Sequence, residues 1–78
     1  MNNTTGKELQ AYAHASVEWL CHLPGRSNRN VYIELAELSS LSTERLRKFH
    51  NGEMPNLTVD ALDRLVSAVQ HAMKKAAA

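Results

Sequence analysis

Apolar residues recur at steps of three and four through most of the chain, and no stretch alternates with the period of two that a half-buried strand requires. The pattern therefore predicts a succession of helices. From Lys7 onward Leu9, Tyr12, Ala13, Val17, Trp19, Leu20 and Leu23 fall on one broad face, with His14, Glu18 and His22 opposite. Thr5 and Glu8 are spaced as a capping box, which starts this helix at residue 6, and Pro24-Gly25 ends it after Leu23. Arg26-Ser27-Asn28-Arg29-Asn30 combines turn formers with no apolar anchor, so an exposed loop is expected there.

A second helix is expected over Val31 to Ser39, with Val31, Leu35 and Leu38 sharing its inner face and the small Ala36 on the flank. The hydroxyls of Ser42 and Thr43 are natural caps for a third, and Glu44 in its first turn complements the helix dipole. It runs to about His50, where Asn51-Gly52 supplies a left-handed stop and Pro55 forbids a restart. Thr58 then caps a fourth helix, with Leu57 placed to staple onto Leu62 and a core stripe of Leu62, Leu65, Val66, Val69 and Met73. Lys74 and Lys75 suit its C-terminus, and Ala76-Ala77-Ala78 is expected to fray. The expected architecture is one all-α domain over residues 1–78, a small bundle of four to five helices. Its first helix lies at residues 6–23, a central pair at 31–51 and the last helix at 58–75.

Composition agrees with this picture and narrows it. A chain of 78 residues supports one core, and 44% hydrophobic with 22% charged residues is ordinary for a globular domain. No apolar run approaches the roughly 20 residues that span a bilayer, and Met1 to Gly6 has neither a basic start nor an apolar stretch. A cytoplasmic protein without membrane contact is expected. The single cysteine, Cys21, excludes an internal disulfide and a cysteine-based zinc site. Net charge is only +1, but positive charge gathers in two islands, Arg26 with Arg29 and Arg45, Arg47 and Lys48 beside Glu44.

The stretch from Leu35 to Gly52 is the most informative. Two helices joined by a tight turn need a small residue where they cross, supplied by Ala36, and an apolar plug in the turn, supplied by Leu41. Leu46 and Phe49, one turn apart, must face inward, which directs Thr43, Glu44, Arg47 and Lys48 outward. From about Tyr32 to Val69 the chain resembles the helix-turn-helix family of lambda repressor and Cro. The resemblance rests on Ala36, Leu41-Ser42, the Leu46 and Phe49 spacing, the Asn51-Gly52 stop and Pro55-Asn56-Leu57-Thr58. Ser40 replaces the glycine usual in that turn, and Tyr32 stands where a glutamine often opens the second helix.

The resemblance implies a lambda repressor-like DNA-binding domain and a small phage or bacterial transcriptional regulator, a Cro-like repressor or autoregulator working at the nucleoid. It implies that Ser42, Thr43, Glu44, Arg47 and Lys48 face the groove of double-stranded DNA and that Asn51 meets a phosphate. Arg26 and Arg29 are further candidates for phosphates. A homodimer is expected, because one small domain makes few base contacts and because the first helix carries a surplus of apolar bulk in Trp19 and Leu23. Gln70, Met73 and Lys74 on the last helix are the other candidate dimer contacts.

The alternatives are weaker or of another class. On charge alone Arg45, Arg47 and Lys48 would simply solvate an exposed face. His14, Glu18 and His22 recur every four residues with Cys21 alongside, but three ligands on one helix without a fourth read as a solvated face rather than a metal site. His50 and His71 read as surface or helix-end residues, Cys21 as packing, and Tyr12 and Trp19 as core rather than as a platform for bases. No phosphate loop or paired-carboxylate motif occurs, so neither an enzyme nor a cofactor is expected. The rival reading keeps the same fold as a protein-interaction module, a phage protein that binds a host regulator or enzyme, or an antitoxin. The small net charge and Glu44 favour it.

Overall fold

A computed structural model of the chain describes residues 6–53 and 57–77. It contains four helices, α1 at Gly6–Cys21, α2 at Asn28–Ser39, α3 at Thr43–Asn51 and α4 at Val59–Ala77, and no strand occurs among the described residues. α4 packs against both α1 and α2, while α3 lies across α2 and α1. The core they enclose holds Ala13, Val17 and Leu20 from α1, Val31 and Leu35 from α2, Leu46 and Phe49 from α3, and Leu62, Leu65 and Val69 from α4. No helix among the described residues is long and apolar enough to cross a membrane.

The joint between α2 and α3 is as the sequence pattern predicts. Leu41 is buried in the turn. Ser40 adopts the left-handed conformation, φ 65° and ψ 18°, and its N–H donates to the Ala36 carbonyl at 2.9 Å. Buried Ser39 completes the turn by donating from Oγ to the Leu35 carbonyl at 2.6 Å and accepting from the Leu41 N–H at 3.2 Å. An L-residue in this backbone region is strained by about 1 kcal/mol, so Ser40→Gly is expected to raise stability by about 0.5–1 kcal/mol. Thermal melts in which Ser40→Gly unfolds at a lower temperature than the parent would contradict this.

Both ends of α3 are closed as predicted. Ser42 Oγ accepts from the Arg45 N–H at 3.1 Å. At the other end Gly52, at φ 85°, donates to the Phe49 carbonyl while the Glu53 N–H donates to Lys48, the paired bonds of a Schellman motif. Thr58 caps α4 through the Ala61 N–H, and Leu57 and Leu62 are both buried. The Thr5 cap and the Pro55-Asn56 segment lie outside the described residues.

Several expectations need correction. α1 ends at Cys21 rather than Leu23, because Pro24 disfavours helical backbone at the residue before it, and His22 and Leu23 close instead with three-residue bonds to Trp19 and Leu20. α2 begins at Asn28 rather than Val31, which shortens the expected Arg26 to Asn30 loop. Ser27 is an N-cap there, accepting from the Asn30 N–H at 3.2 Å. Leu38 lies on the exposed rim of α2, and Tyr32 takes the buried place.

Tyr12 and Trp19 are not core residues; they are 40% and 47% exposed, whereas Leu23 is half-buried against the core. α4 stays helical through Ala77 instead of fraying from Ala76. Its stripe is completed by Ala61, Ala68 and Ala72, while Val66 and Met73 are only partly covered.

Candidate nucleic-acid interface

The outer side of α3 is polar because Leu46 and Phe49 pull the opposite side into the core. Thr43, Glu44 and Asn51 are exposed, and Arg47 and Lys48 are half-buried beside them. Arg29, on the first turn of α2, joins this surface. With Tyr32, Ile33, Thr43, Glu44 and Arg47 it lines a groove of 320 Å³ between the N-terminal halves of α2 and α3. The groove thus brings together four of the eight residues expected at a DNA surface, Thr43, Glu44, Arg47 and Arg29, with Ser42 beside them as the N-cap of α3, Lys48 further along the helix and Asn51 at its other end.

Arg26 is not among them. Its guanidinium bonds to Glu34 and its Nε donates to Asn30 Oδ1 at 2.5 Å, so its charge is held along α2 rather than offered outward.

The Arg47 and Glu44 charges on this surface are already partnered. Arg47 forms a forked pair with Glu44, Nε at 3.2 Å and Nη2 at 2.7 Å, and its Nη1 lies 3.3 Å from Glu53. This pairing holds the Glu44 carboxyl below its ordinary value and raises that of the Arg47 guanidinium. Lys48 Nζ is more distant, 3.9 Å from Glu44. A ligand that takes Arg47 must therefore displace carboxylates, while Arg29 and Lys48 are the readier cations.

Beneath the surface, three helices meet at one histidine. The His50 side chain is only 8% exposed. Its Nδ1 lies 2.6 Å from Tyr32 Oη on α2, and its Nε2 lies 2.5 Å from Glu18 Oε1 on α1. One proton arrangement satisfies all three groups: Tyr32 donates to Nδ1, and Nε2–H donates to the carboxylate. His14 Nε2–H donates at 2.8 Å to the backbone carbonyl of His50, one of the last carbonyls of α3, and the His14 ring packs edge-on to Phe49.

His14 and Glu18 stay exposed, as a solvated face requires, but both also bond to the end of α3, where the His50 side chain is almost wholly covered; together these contacts fix α3 against α1 and α2. Sequence spacing gave no sign of this, because the partners lie 18 to 36 positions apart. Among the described residues no group of three or more histidine, cysteine, aspartate or glutamate side chains is arranged to hold a metal ion. Cys21 is buried, and its burial pushes the thiol up from its ordinary value.

The His50 contact makes stability depend on acid. The hydrogen bond from His50 is the main reason that the Glu18 carboxyl sits below its ordinary 4.5, against a smaller opposing effect of burial. A carboxyl with a folded value below its unfolded one stabilises fully above the unfolded value, and the contribution fades as pH falls through the folded value. Glu18→Gln should therefore flatten the loss of stability below pH 4.5. Urea midpoints measured down to about pH 3 check it, and parallel curves for parent and variant would contradict it.

No protein-family model, curated protein or solved structure matches the chain.

Proposed function

We propose that this protein binds duplex DNA through the outer face of α3, as a small sequence-specific transcriptional regulator of the lambda repressor and Cro type. The observation that carries the reading is the placement of α3: a nine-residue helix with an all-polar outer face, capped at both ends and fixed from below by Leu46, Phe49 and the His50 contacts. A helix held in this way fits the major groove, where side chains at its N-terminal end meet base edges. Thr43, Glu44, Arg47 and Lys48 take that position, with Glu44 suited to accept from cytosine N4 and Arg47 to donate to guanine. Ser42, Asn51 and Arg29 hold phosphates.

Two copies reading two half-sites about 34 Å apart supply the selectivity that one copy lacks, and control follows from protein concentration. Selection from a pool of randomised duplexes tests this. The expected product is a symmetric motif with half-sites about ten base pairs apart. Recovery of no motif would contradict it.

A second reading, a protein-interaction module on the same fold, draws on two observations. Glu44 and Glu53 already occupy Arg47, and exposed Ile33 gives the adjoining groove an apolar wall. Failure to bind any duplex at low salt, where non-specific phosphate contacts are strongest, would favour this module.

A further inference from the structure

We propose that Arg45 holds the phosphate backbone of one DNA strand while Arg29 holds that of the other, so that α3 is clamped across the major groove from both sides. This rests on the reading of α3 as the helix that enters the groove, and it gives a role to Arg45, whose charge the sequence alone leaves as surface solvation.

Of the five arginines, Arg26, Arg47 and Arg64 each pair with a carboxylate. Arg29 and Arg45 form no ion pair and no side-chain hydrogen bond among the described residues. Arg45 stands apart in a second respect: it is half-buried, its Nε is covered, and that N–H bonds to nothing among the described residues. The carboxylates nearest in sequence, Glu44 and Glu53, both turn to Arg47. A covered donor without a partner opposes folding, so stability alone gives no reason for an arginine here. Turned outward, the long side chain presents Nε–H and an Nη–H together, the fork that fits two oxygens of a phosphate, and the covered donor gains the partner it lacks.

Helical geometry places the two unpaired arginines on opposite flanks of α3. Thr43 and Arg47 line the groove against α2 together with Arg29. Arg45 is two positions from each of them in sequence, and therefore about 160° around the helix from both. The polar ridge of Glu44, Lys48 and Asn51 runs between these flanks. A helix about 10–12 Å across fills a major groove about 12 Å wide, so its flanks meet phosphates of different strands. Such a clamp sets the depth and tilt at which α3 sits, and it acts on any sequence.

Binding of the full chain to a mixed-sequence duplex of about 20 base pairs, between about 50 and 200 mM salt, tests the clamp. Arg45→Met keeps the apolar stem and removes the charge together with the unbonded N–H. It should weaken binding several-fold and lower the slope of log affinity against log salt by about 1, as should Arg29→Met. The two effects should add, because the side chains share no partner. Arg64→Met, which leaves the Asp60 pair on α4, controls for net charge and should change neither quantity. The melting temperature of Arg45→Met should equal or exceed that of the parent.

A duplex with neutral methylphosphonate linkages along one strand separates a two-strand clamp from a one-strand contact. Only one arginine finds a charged phosphate there, so the Arg29→Met, Arg45→Met double variant should lose half as much, on a logarithmic scale, as it loses on the unmodified duplex. Equal losses on the two duplexes would overturn the clamp. So would an Arg45→Met variant that binds like the parent, that is matched by Arg64→Met, or that melts several degrees lower. If the parent itself binds no duplex at low salt, the reading of α3 fails and the clamp with it. If the parent binds and Arg45→Met binds equally well, only the clamp fails.

Discussion

Replacing Phe49 with alanine is expected to remove about 3–5 kcal/mol of stability, a large share of the total for a domain of this size. The ring is 2% exposed, lies beside Leu46 in the core and meets the edge of His14 at a centroid distance of 5.9 Å. Its loss leaves a cavity where α3 leans on α1 and α2, and backbone contacts on both sides of that cavity resist collapse. His14 holds the α3 carbonyl end, and the Ser39 to Ser42 turn holds the other. Urea or thermal unfolding followed by circular dichroism measures the effect. A variant that melts within a few degrees of the parent would show that the ring does not bear on the core.

Arg47→Ala and Lys48→Ala are expected to act on binding instead. Each should lower affinity for a selected duplex about tenfold or more, the scale of a lost base contact, while helicity and unfolding stay near those of the parent. Stability changes little because both side chains reach solvent and their partners, Glu44 and Glu53, are exposed as well. Arg64→Ala is the control: this arginine pairs with Asp60 on the surface of α4, away from the groove, and its loss should leave affinity unchanged. Equal loss in all three variants would mean that only bulk charge attracts the DNA.

Much of the fold is legible in the sequence because its signals are local. Leu46 and Phe49 are one turn apart, Gly52 ends α3, Ser42 opens it and Leu41 plugs the turn, and each of these can be read within a few residues. Ser27 shows the limit of such reading. A serine among asparagines fits a loop as well as a cap, and only the bonds of Asn30 and Val31 to it decide for the cap. Tyr12 and Trp19 mark another limit: periodicity groups them with Leu20, but which part of a wide apolar face becomes covered depends on where α4 lies.

The site divides in the same way. The outward direction of Thr43, Glu44, Arg47 and Lys48 follows from helical spacing alone. The pairing of Arg47 with Glu53, the retreat of Arg26 to Glu34 and the meeting of Glu18, Tyr32 and His50 depend on how the chain folds beyond each helix, which no spacing rule encodes.

The most direct test of DNA recognition is amide NMR of the labelled chain titrated with duplex DNA at low salt. The account predicts shifts concentrated on Ser42 to Lys48, Asn51 and the first turn of α2 around Arg29. Absence of any shift at low salt, or shifts centred on α4 with α3 silent, would contradict it.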